Sequence, residues 1–100
     1  MANDSYAWPE GYRSAACFTL DFDAHGPHFW IHRKGMPQLL SHLEQRRFGP
    51  RVGIYRILEL LDRFGIKGTF FVPAKVAEDF PEILPLLVEG SHEIGLHGYF

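Results

Sequence analysis

The stretch 52–73, VGIYRILELLDRFGIKGTFFVP, decides the fold class. In its first half Ile54, Ile57, Leu58, Leu61 and Phe64 recur at the i, i+3, i+4, i+7 spacing that gathers apolar side chains on one face of a helix. Gly65 follows where a helix would stop, so the spacing predicts a helix over residues 52–64. The second half, residues 66–72, alternates poorly, is rich in β-formers and ends at Pro73. That is the pattern of a strand covered on both faces.

Outward from this unit the pattern repeats. Residues 15–22, AACFTLDF, form a short apolar run that predicts a first strand. Residues 79–89 predict a second helix closed by Gly90, and residues 92–96 a third strand. Pro85 within that helix lacks an N–H and opposes the carbonyl of Pro81, which calls for a kink or a tight first turn. The order β-α-β-α-β implies parallel strands joined by right-handed crossovers. Three such strands alone leave two open edges and bare faces, whereas a closed barrel takes roughly 250 residues. The expectation is therefore an α/β chain that is the N-terminal part of a (β/α) barrel, and an incomplete one. Residues 1–14, with Pro9 and Gly11, read as an irregular lead-in, and residues 15–100 as the single, unfinished domain. Between the first strand and the first clear helix, residues 23–50 carry Gly26-Pro27, Gly35, Pro37 and Gly49-Pro50 and read mostly as loop. A brief helix near residues 38–47 would put Leu39, Leu40 and Leu43 on one face. A connection this long is uncommon unless it has a function.

Composition narrows the classes further. With 46% hydrophobic and 15% aromatic residues the chain is built to fold, not to remain disordered. A net charge of −2 gives no footprint for nucleic acid or an anionic membrane, and no apolar run reaches the roughly 18 residues of a span. Residues 1–13 lack a basic stretch followed by an apolar one, so the expectation is a cytoplasmic protein. Cys17, the single cysteine, cannot form an internal disulfide, and its apolar neighbours suggest a small buried hydrophobe.

Asp21 and Asp23 lie where the first strand ends, on one side of it, with Phe22 on the other. Two like charges on one face call for a cation or a shared proton. The same pair also reads as ordinary turn or N-cap aspartates, and the residues alone leave both readings open. His97 follows the third strand, at the same end of the predicted sheet. Ligands of parallel α/β folds gather outside the carboxyl ends of strands, and carboxylate and imidazole donors suit zinc or a similar divalent ion.

Three stretches then carry a resemblance. FTLDFD (18–23), GIKGTFFVP (65–73) and GSHEIGLHGY (90–99) resemble, in order, the opening motif, the second strand and the metal-histidine approach of the polysaccharide deacetylase family. The resemblance covers residue 15 to the end. It implies hydrolysis of a non-peptide C–N bond, N-deacetylation of an amino sugar or polysaccharide, with a divalent metal, zinc by its donors. It also implies that Asp21 is the general base and that Asp23 and His97 are metal ligands. The family's usual adjacent aspartates are here separated by Phe22, a spacing similar to a branch that includes allantoinase-like cyclic-amide hydrolases; residues 51–61 resemble that branch too. A second metal histidine would fall one position past Phe100, with the catalytic acid later still.

Other residues have competing readings. His25, His28 and His32 could cluster, but Gly26-Pro27 argues against a continuous helix that would align them, so a polar loop lining the cleft is expected. Phe29 and Trp30 could stack on a sugar ring or simply anchor that loop. His92 reads as structural. Gly49, Arg51 and Gly53 could meet an anion at a helix start, or merely begin the helix. Three functions follow: an N-deacetylase with an N-acetylated sugar as substrate, a cyclic-amide hydrolase working without metal, or a non-catalytic sugar-binding or assembly module. Uncovered sheet edges add an expectation of self-association as a homo-oligomer.

Overall fold

In a computed structural model of the chain, residues 6–35 and 39–100 are described. Three strands, β1 (Thr19–Asp21), β2 (Thr69–Val72) and β3 (Glu93–Leu96), form one parallel sheet in the order β1-β2-β3. Thr19 pairs with Thr69 and Thr69 with Glu93, so the three strands start level with one another, and β1 ends one residue before the other two. The α/β class and the parallel order agree with the sequence reading.

Side chains alternate across β2. Phe70 and Val72 are buried and face the helices, whereas Thr69 and Phe71 face the other way. Thr69 Oγ1 donates to Glu93 Oε2 at 2.6 Å, which marks that second face across the β2–β3 pair. Phe71 pairs with Gly95, where an added Cβ would stand 2.5 Å from the Phe71 ring. Glycine at 95 is what lets the ring lie over β3.

The helix predicted at 52–64 is α3 (Ile54–Arg63), entered through a π-helical turn, Gly49–Gly53, that continues from α2 (Leu40–Phe48). Ile54 and Leu61 of α3 are buried against Phe22, Phe70, Val72, Val76, Ile83 and Leu87. Gly65, at φ +64°, ends the helix as its left-handed cap, with its N–H on the Asp62 carbonyl.

Four readings change. The first strand is shorter than residues 15–22, because only Thr19 onward finds a partner in β2. Cys17 accordingly lies outside the sheet and is exposed, not buried. The segment after β1 is no loop: α1 (Gly26–His32) starts there, with Pro27 in the first turn, where a missing N–H has no helical partner to lose. Finally, the helix expected at 79–89 is two helices, α4 (Ala74–Asp79) and α5 (Ile83–Glu89). Phe80, at φ −129° and ψ 70°, breaks them apart because Pro81 disfavours helical backbone in the residue before it. Pro85 then falls in the first turn of α5, and no hydrogen bond is sacrificed. The brief helix foreseen at 38–47 is α2, although Gln38 lies outside the described residues.

Candidate active site

The sequence places the chemistry where strands end. The Phe22 N–H donates to the Phe71 carbonyl at 2.8 Å, carrying β1's pairing one residue past Asp21. Phe22 itself is sunk in the core, so Asp21 and Asp23 project from the opposite face. Beyond them the chain turns sharply: Ala24 has φ +47°, a conformation side chains rarely adopt, and the Asp23 carbonyl accepts from Gly26 N–H at 2.8 Å. His97 follows β3 directly. Its Nε2 stands 3.0 Å from Asp23 Oδ1 and 4.0 Å from Asp21 Oδ2. The three residues singled out from sequence thus meet at the carboxyl edge of the sheet, and all remain open to solvent, with His97 at 40% exposure. The Phe71 ring lies 6.5 Å from the imidazole, below the site.

A cleft of about 460 Å³ opens from this edge, lined by Asp23, Pro27, Trp30, His97, Tyr99 and Phe100. Its far wall is held from behind. Ala74 and Lys75 N–H groups, free in the first turn of α4, donate to the carbonyls of Gly98 and Tyr99 at 3.0 and 2.8 Å. The Tyr99 hydroxyl donates to Glu78 Oε2 at 2.9 Å, and this bond raises the phenol's pKa. Gly26 permits the near wall to close in, since an added Cβ would be 3.3 Å from the Phe100 backbone. Pro27, Tyr99 and Phe100 were not read as site residues from sequence. The signal available was the aromatic pair two and three positions after His97.

The histidines of α1 divide. His28 and His32 are one helical turn apart with ring centroids 4.4 Å apart, so the helix does align them, contrary to the expectation from Gly26-Pro27. His25, just before the helix, turns elsewhere: its buried Nε2 meets Asp79 Oδ2 at 2.5 Å, with the Phe29 and Phe80 rings edge-on to it. Lys75 Nζ, 2.8 Å from Asp79 Oδ1, holds that carboxyl below its ordinary pKa, against the opposing effect of burial and with further help from His25. His92 is at the opposite end of β3 from His97, and its Nδ1 accepts from Gly68 N–H at 3.0 Å. Gly49, Arg51 and Gly53 form the π-helical turn, where Arg51 pairs with Glu44 at 2.8 Å.

Two donors here suit a divalent ion. Asp23 Oδ1 and His97 Nε2 are close enough to share one at the usual bond lengths of about 2.0–2.2 Å. Among the described residues no group of three or more His, Cys, Asp and Glu side chains is gathered for a metal, so this pair calls for a further donor.

The acids and the imidazole thus sit outside the carboxyl ends of a parallel α/β sheet, where folds of this class bind their ligands. Residues 48–100 match the polysaccharide deacetylase family model, and the chain belongs to that family. It is 31% identical over 70 residues to the peptidoglycan deacetylase of Helicobacter pylori, covering 70% of this chain and 24% of that protein. It is 46% identical over 62 residues to a peptidoglycan deacetylase-like protein of Gibberella zeae, covering 60% of this chain and 18% of the relative. Among solved structures, a candidate polysaccharide deacetylase from Mycobacterium smegmatis superposes with a TM-score of 0.78 at 36% identity, over 94% of this chain and 32% of that one. The allantoinase PuuE superposes with a TM-score of 0.73 at 26% identity, over 83% of this chain and 33% of that one. The chain thus spans about a quarter or less of the length of these curated relatives.

Proposed function

We propose that this chain supplies the first part of the active site of a metal-dependent hydrolase that removes acetyl groups from an N-acetylated amino sugar. The observation that carries the reading is the meeting of Asp21, Asp23 and His97 at one strand edge, in a member of the polysaccharide deacetylase family. Similarity to two proteins named for peptidoglycan deacetylation favours a sugar substrate over the cyclic amide suggested by the allantoinase likeness.

Asp23 and His97 would hold the ion, with a third donor supplied from outside the described residues. A divalent ion bound there supplies a Lewis acid for the amide carbonyl and acidifies a water. Asp21 is the proton acceptor in this reading. Its carboxylate lies beside the pair without being the closer of the two acids to His97, which leaves it free to take a proton from the attacking water. His97 and Asp23 fix each other's orientation through their 3.0 Å contact. The cleft walls present the amide to this edge.

The test is acetate release from an oligomer of N-acetylglucosamine, measured beside ring opening of allantoin. The polypeptide should carry this segment together with the family's remaining motifs. Acetate release that stops on chelation and returns with zinc is the expected result. Ring opening without acetate release, or turnover indifferent to chelation, would contradict the reading.

A further inference from the structure

We infer that Trp30 is a specificity-determining residue of this cleft: its indole is a fixed platform on which the ring of the amino-sugar substrate stacks. The inference rests on the deacetylase reading above and names what selects the substrate.

Phe29 and Trp30 are adjacent in sequence, and the structure gives them different work. Phe29 is half-buried and spoken for, with its ring 5.0 Å from that of His25 and beneath Lys75 Nζ at 5.8 Å. Trp30 is 51% exposed and lines the cleft beside Asp23 and His97. An exposed tryptophan is normally free to change rotamer, but this one is clamped. The Arg33 guanidinium lies 3.7 Å from the centre of the indole, and its Nη1 donates to the Trp30 carbonyl. The guanidinium occupies one face of the indole, and Arg33 is not among the side chains that line the cleft. A ring held this way is preorganised, and less freedom is lost when a ligand settles on it.

The rest of the cleft fits a pyranose. Phe100 stands 6.0 Å from Trp30 with the two rings inclined by 47°, and Tyr99 packs edge-on against Phe100 at 4.9 Å. These exposed rings supply apolar surface for the C–H face of a sugar. Asp23 and His97 supply the few polar groups that orient it. A volume of 460 Å³ lies within the range of small-molecule sites, roughly 300–1,000 Å³. The surface is wide and open, suited to one residue of a longer glycan, where neighbouring sugars continue into solvent.

The test separates this inference from the function it rests on. In the polypeptide carrying the family's remaining motifs, Trp30→Ala should raise KM for the N-acetylglucosamine oligomer by about fivefold or more, with kcat changed far less. Trp30→Phe, which keeps a ring, should recover much of the loss. Acetate release with KM indifferent to Trp30→Ala overturns the platform and leaves the deacetylase intact. If the wild type releases no acetate, the deacetylase reading fails, and oligomer binding then decides the platform. That binding is read by calorimetric titration of the oligomer into wild type and Trp30→Ala of the same polypeptide. Binding of the oligomer that weakens about fivefold or more in Trp30→Ala supports the platform; equal binding by both overturns it.

Discussion

His92 shows how a residue away from the chemistry can be read from its surroundings. Burial, reinforced by the nearby Lys67 charge, lowers its pKa from the ordinary value of 6.5, and its Nδ1 must stay unprotonated to accept from Gly68 N–H. The unfolded chain therefore binds a proton more readily than the folded one. His92 contributes stability that is complete above about pH 6.5 and declines as pH falls through the lowered value. The useful quantity is the difference between wild type and His92→Gln, which removes the contribution of every other titrating group. Urea unfolding of the polypeptide carrying the family's remaining motifs, at about pH 8 and about pH 5, should show a larger loss on acidification for wild type than for the variant. Equal losses would show that His92 is not held neutral. By contrast, Asp21, Asp23 and His97 were legible from sequence because strand alternation and strand ends together dictate where such side chains point. Their meeting needed only the parallel order. The Trp30 clamp was not legible: nothing in the spacing of Trp30 and Arg33 says that the guanidinium folds back over the indole.

At the scale of elements, what could be read was what repeats. The helix α3 and the strand β2 declare themselves by periodicity and by the glycine and proline that end them. One error arises where Pro27 was treated as a breaker without regard to position: it lies in the first turn of α1, where its missing N–H is harmless. Pro85 sits in the first turn of α5, one of the two outcomes its position called for. Pro81 does break the chain, but by acting on Phe80 before it. The short reach of β1 has another cause: apolar residues 15–18 look strand-like, yet a strand exists only where a neighbour offers hydrogen bonds, and β2 begins at Thr69. The Phe18 carbonyl accepts from Thr69 N–H, and there the pairing stops.

For the whole molecule, the sheet has more surface than its partners cover. The accessible area is 7595 Å², against about 5,800 Å² for a compact monomer of this mass. The radius of gyration is 17.7 Å, where a compact chain of this length has about 13 Å. Leu96 is 90% exposed and Ile94 37%, on the β3 face where the neighbouring strand's Phe70 and Val72 are buried. Expressed as these hundred residues, the chain should self-associate or unfold without a sharp transition, as size-exclusion chromatography and thermal melting would show. A monomer with a cooperative melt would contradict that expectation. The central claim concerns the strand edge, and its most direct test is bound zinc and turnover measured side by side for Asp21→Asn and Asp23→Asn, in the polypeptide carrying the family's remaining motifs. Asp21→Asn should keep its zinc and lose roughly 10²–10⁴-fold in turnover, the loss of a general base; Asp23→Asn should lose the zinc itself. Zinc retained in Asp23→Asn and lost in Asp21→Asn would reverse the two roles, and zinc retained with full turnover in both would remove the site.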